Sequence, residues 1–84
     1  MSESAKQTIK NFIMEQFLPG EDPNELTDET PLISGGILDS IATLQLVIFL
    51  EETYGVSFEP HEVDKDNLDT LALMVRLLAG KTKL

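Results

Sequence analysis

All four prolines and all five glycines of this 84-residue chain fall at seven places: 19–20, 23, 31, 35–36, 55, 60 and 80. Each either breaks a helix or sets a turn. Between these marks lie three stretches with helical spacing of apolar residues, and none offers the pairing of strands. The spacing predicts a first helix over residues 4–18, with Ala5, Ile9, Phe12, Ile13 and Phe17 on one stripe. Ser4 and Gln7 have the form of a capping box at its start, and Pro19-Gly20 ends it. Residues 19–38 follow neither period. A loop that long in a small domain needs anchoring. Leu26, Leu32, Ile33, Ile37 and Leu38 can supply it, so the loop is expected to be ordered and packed.

The second helix is expected over residues 40–54, with Asp39 as N-cap and Gly55 as the left-handed residue that closes it. At 100° per residue this segment has two apolar faces. Leu46, Val47, Leu50 and Tyr54 suit a core. Ile41, Leu44 and Ile48 lie on the side of Ser40, with Glu51 and Glu52 one turn further on. Two readings are open: a central helix buried all round, or a docking surface that is apolar in the middle and acidic at its rim.

Val56-Ser57-Phe58 reads as a short extended piece. Residues 59–63 read as one helical turn with Pro60 in its first position. The last helix is expected over residues 70–79, capped by Asp69, with Leu68 stapled to Leu73 and Gly80 as its stop. Leu71, Met74, Val75 and Leu78 form its core stripe. Arg76 and Lys81 suit the negative end of its dipole. Three longer helices, a short turn and a long first loop make an all-α bundle in one domain over residues 1–84.

Charge narrows the partners. The net charge is −9, and residues 21–69 hold thirteen of the fifteen acids against a single base, Lys65. Such a field repels nucleic acid and anionic membrane and draws proteins with basic patches. It also keeps a small protein soluble. With no Cys, disulfides and thiolate metal sites are excluded, and one His leaves no zinc set. No metal site is expected. No apolar run is long enough to cross a membrane, and the first residues have no signal-peptide pattern, so the expected location is cytoplasmic. No self-associating face is visible, and a monomer is expected.

Catalytic motifs are missing as well. There is no Gly-x-Ser-x-Gly elbow, and His61 lies in a polar turn without a nucleophile beside it. The Asp64-x-Asp66 start of a calcium loop lacks its central Gly and closing Glu. Gly35-Gly36 has no following Lys-Ser/Thr, and its glycines serve the turn into the second helix. What is left is Gly35-Gly36-Ile37-Leu38-Asp39-Ser40-Ile41, which sets a hydroxyl on the first turn of a helix, where free amides and the dipole favour an attached phosphate. Taken alone, Asp39 and Ser40 read more readily as a plain helix cap.

The run Leu38-Asp39-Ser40-Ile41-Ala42-Thr43-Leu44-Gln45-Leu46-Val47-Ile48-Phe49-Leu50-Glu51-Glu52-Thr53-Tyr54-Gly55-Val56 resembles the acyl carrier protein family. That family's mark is Asp-Ser-Leu at the head of its second helix, then alternating aliphatics, a Glu-Glu pair, an aromatic, Gly and an aliphatic. Ile41 stands here where Leu is usual. The likeness extends over the whole chain, including a short third helix near residues 60–65 and a closing helix at residues 68–79. It implies a four-helix bundle of acyl-carrier type.

The resemblance also implies function. Ser40 would take a 4′-phosphopantetheine arm from coenzyme A, through a phosphopantetheinyl transferase with a magnesium ion. The arm's thiol would hold an acyl or aminoacyl group as a thioester. A chain without Cys fits such a borrowed thiol. Asp39 matches the acid read by the transferase. Ile41, Leu44 and Ile48 match apolar contacts, and Glu51 and Glu52 match acids that meet basic partners. Leu46, Val47, Leu50 and Tyr54 match the inner face that sheathes an acyl chain in some members.

Ala42 and Gln45 depart from the acids common there in carriers of fatty acid synthesis. That points to a discrete carrier for a dedicated lipid, polyketide-like or other secondary pathway, served by a loading ligase and acyl-processing enzymes. An aminoacyl or peptidyl carrier loaded by an adenylating enzyme is the alternative. On either reading the chain itself is not an enzyme. A non-covalent acidic helical adaptor is the alternative of another class.

Overall fold

The structure, a computed structural model, describes residues 2–81, and side chains from Ser4 onward. Met1 and residues 82–84, with Lys83, lie outside the described residues. Helix α1 spans Ser2–Phe17, α2 Ser40–Tyr54, α3 Lys65–Leu68 and α4 Leu71–Lys81. Short 3-10 turns occupy Pro23–Glu25 and Pro60–Glu62, and no strand occurs among the described residues. The chain is thus the all-α bundle of carrier type, with α1 packed on α2 and α4, and α3 on α4.

One shared core explains the arrangement. Ile9 and Ile13 of α1, Leu46 and Leu50 of α2, Leu68 of α3, and Leu71, Met74 and Leu78 of α4 are all fully buried. Leu26, Leu32 and Leu38 bring the long loop into the same cluster. Phe12 stacks on Phe49 with ring centroids 4.0 Å apart, joining α1 to α2 beside that core.

The loop is also held by its backbone. The Leu32 N–H donates to the Asp69 carbonyl at 2.7 Å, and the Ala72 N–H to that of Asp28 at 3.1 Å. Lys6 pairs with Asp28 at 2.9 Å. A Cβ at Gly35 would run into the Pro31 carbonyl, and Gly36 has φ +84°, so the two glycines carry the chain into α2.

Four expectations at helix ends are corrected. Helix α1 begins at Ser2, so Ser4 and Gln7 form no capping box: the Ser4 carbonyl accepts from the Thr8 hydroxyl, and Gln7 bonds Asn11. Thr70, not Asp69, caps α4 by accepting from the Leu73 N–H at 3.1 Å, which shifts the register and removes Leu68 from the staple position. Gly80 lies inside α4 without the positive φ of a terminating glycine, and the helix runs on to Lys81. The short third helix falls at Lys65–Leu68 rather than near residues 60–65, because Asp64 caps it by accepting from the Asn67 N–H.

Candidate functional site at the head of the second helix

Helix α2 starts at Ser40 for local reasons. The Asp39 backbone is extended, and its Oδ1 accepts from the Ala42 N–H at 2.8 Å. The Thr43 hydroxyl and N–H both donate to the Asp39 carbonyl. These bonds engage Oδ1 and the carbonyl of Asp39 and leave the Ser40 and Ile41 N–H groups without a partner among the described residues. Ser40 is exposed, and its hydroxyl makes no hydrogen bond among the described residues.

The hydroxyl borders a groove of about 470 Å³. It is lined by Ile33 and Leu38 of the loop, by Asp39, Ser40 and Thr43 at the head of α2, and by residues 63–65 at the start of α3. A second groove, of about 480 Å³, lies around Glu62, Asp66, Arg76 and Lys81 and is lined by no hydroxyl or thiol.

The two faces of α2 separate as expected. Leu46 and Leu50 are fully buried, Val47 is buried, and Tyr54 is half-buried against the core. Ile41, Leu44 and Ile48 are 69%, 56% and 44% exposed, so the helix is not buried all round. The acidic pair divides. Glu52 is exposed, whereas Glu51 is half-buried and its Oε2 accepts from the Phe58 N–H at 2.9 Å. Glu51 thus ties down the segment after α2, a task that its place beside Glu52 does not announce.

Two further carboxylates tie separate segments of the chain together. Asp69 Oδ1 accepts from the Ile33 and Ser34 N–H groups and Oδ2 from the Ser34 hydroxyl, each at 2.8 Å. Chiefly through the Ser34 bonds, the carboxyl of Asp69 titrates below its ordinary range. Glu62 Oε1 accepts from Lys81 Nζ at 2.6 Å and from the Glu59 N–H at 2.8 Å. The Lys81 bond, followed by the Glu59 bond, lowers its pKa too. Lys81 also sits 5.2 Å from the Phe58 ring centroid. Neither anchor is visible in the sequence, since their partners lie 35 and 19 residues away.

Chemically, the head of α2 offers an accessible, unengaged hydroxyl beside two free amides at the positive end of a 15-residue helix. That combination fits an ester of phosphate. No base is hydrogen-bonded to the hydroxyl, and no cluster of metal ligands occurs among the described residues.

Comparison with known proteins agrees with this geometry. Residues 14–78 match the family described as "Phosphopantetheine attachment site". The chain is 35% identical over 65 residues to the D-alanyl carrier protein of Streptococcus suis (strain 98HAH33), which covers 77% of this chain and 78% of the relative. It is 30% identical over 73 residues to the D-alanyl carrier protein of Streptococcus pyogenes serotype M5 (strain Manfredo), covering 87% and 89%. The chain belongs to the phosphopantetheine-binding carrier proteins, whose prosthetic group is bound covalently.

Proposed function

We propose that Ser40 is the attachment residue and that the chain is an aminoacyl carrier for D-alanine. The observation that carries the first part is the exposed, unengaged Ser40 hydroxyl at the head of α2. In the transfer, Ser40 Oγ bonds to the phosphorus of coenzyme A that bears the pantetheine. The pyrophosphate bond breaks, adenosine 3′,5′-bisphosphate leaves, and the serine proton passes to a base on the transferase. Once attached, the arm supplies a thiol that carries cargo as a thioester. Asp39 keeps the first turn of α2 fixed while Ser40 is approached. Ile41, Leu44, Ile48 and Glu52 offer the transferase and later partners an apolar strip with an acidic end.

The cargo assignment is supported by the relatives, which are D-alanyl carrier proteins. It favours the aminoacyl alternative over the fatty-acyl and polyketide cargoes that the sequence first suggests. The loading partner is then a ligase that adenylates D-alanine and passes it to the thiol, and the chain itself presents cargo without transforming it. The setting is cytoplasmic, with the chain acting as a monomer. No helix among the described residues is long and apolar enough to cross a membrane.

Incubating the phosphopantetheinylated chain with a D-alanine-activating ligase and ATP tests the cargo. Intact mass should show one D-alanyl adduct that hydroxylamine removes. Loading by fatty-acyl or ketide ligases, with none from D-alanine, would overturn the assignment.

A further inference from the structure

We infer that the Lys65 ammonium is the counter-charge of the phosphodiester on Ser40 and holds the first part of the arm against the α3 wall. This rests on Ser40 being the attachment residue and adds what fixes the arm's direction. Lys65 is the only Lys or Arg in residues 21–69, and it lines the same groove as Ser40. Lys65 is the one basic residue lining the groove that Ser40 also lines, and a new negative charge there would find compensation in it.

The neighbouring charges leave Lys65 available. It is exposed and forms no ion pair within 4 Å among the described residues. Asp64 spends Oδ1 on the Asn67 N–H and side-chain amide. Asp69 spends its carboxylate on Ile33 and Ser34. Lys65 acts on Asp69 only through its field, as a minor contribution to the lowered Asp69 pKa.

Asp39, the residue before Ser40, also lines this groove, and its carboxylate would repel the phosphodiester. The Ser40 and Ile41 N–H groups offset part of that repulsion. A compact ammonium on a four-carbon stem supplies the rest without demanding bidentate geometry. The arm would therefore leave Ser40 toward α3 rather than swing evenly in all directions.

The experiment measures the Lys65 side-chain pKa by NMR in the unmodified and phosphopantetheinylated chain, with the arm's thiol capped by iodoacetamide so that it carries no charge. The expected result is a rise at Lys65 of roughly 0.2–0.7 pH units on modification, the size of an exposed ion pair, with Lys10 unchanged. Relaxation of the arm's geminal methyl protons adds a second readout. They should be restrained in the wild type and in Lys65→Arg and mobile in Lys65→Gln. A modified chain in which Lys65 titrates as before, or whose methyls are equally mobile in all three proteins, would overturn the inference and leave Ser40 standing. A chain that takes no arm at Ser40 would overturn both.

Discussion

Asp69 grips Ser34 twice, Oδ1 accepting from its N–H and Oδ2 from its hydroxyl, both at 2.8 Å. The grip joins the junction of α3 and α4 to the loop that delivers Ser40, and the Leu32 N–H bond to the Asp69 carbonyl extends it. Replacing Asp69 by Ala should cost about 1.5–3 kcal/mol, the range for hydrogen bonds to a charged group. Urea titration of the variant measures it. Ser34→Ala should cost less, because the backbone donors of Ile33 and Ser34 stay bonded.

The same latch makes stability depend on pH in a defined direction. The Asp69 pKa is lower in the folded chain than its ordinary 3.8, chiefly through the bonds from Ser34. The unfolded chain therefore binds the proton first as pH falls. The stabilisation is complete above about pH 5 and is lost as pH drops below about 4, through the lowered folded value. Between pH 5 and pH 3 the urea midpoint of the wild type should fall further than that of Asp69→Asn.

Lys81 and Glu62 form a second, separable device. Removing the Lys81 charge as Lys81→Met should return the Glu62 pKa upward toward its ordinary 4.5, since the Lys81 bond is the largest cause of its lowering. A carboxyl-carbon NMR titration reads that shift. The Glu59 N–H bond stays in place, so the return should be partial.

The two faces of α2 should respond oppositely to mutation. Leu46→Ala and Leu50→Ala remove fully buried side chains and should each cost about 2–5 kcal/mol. Ile48→Ala, on the exposed face, should cost under about 1 kcal/mol. Conversely, Ile41→Glu should leave the melting temperature unchanged while lowering kcat/KM of the transferase about tenfold, the effect of losing one central apolar contact. Equal destabilisation at Leu46, Leu50 and Ile48 would contradict the division of faces.

Helix α2 was legible in the sequence because its determinants are local. Asp39 caps it from the adjacent position, Gly55 closes it with φ +65°, and the 100° rotation separates Leu46 and Leu50 from Ile41, Leu44 and Ile48. The same local reading misplaced Asp69, which had the right residue type and position to cap α4. It is drawn instead to the Ile33 and Ser34 amides, which the fold brings to it and which no local pattern reveals, while Thr70 takes over the cap. Gly80 fails as a stop for a related reason: a glycine permits the left-handed turn but does not impose it. At the site, Ser40 was legible from its neighbours, whereas the inward turn of Glu51 depends on where Phe58 comes to lie.

The central claim is most directly tested by intact mass after incubation with coenzyme A, magnesium and a promiscuous phosphopantetheinyl transferase. The wild-type chain should gain a single phosphopantetheine. Ser40→Ala should gain none while keeping its helical circular dichroism and its melting transition. A folded Ser40→Ala chain that still takes up the group would contradict the account.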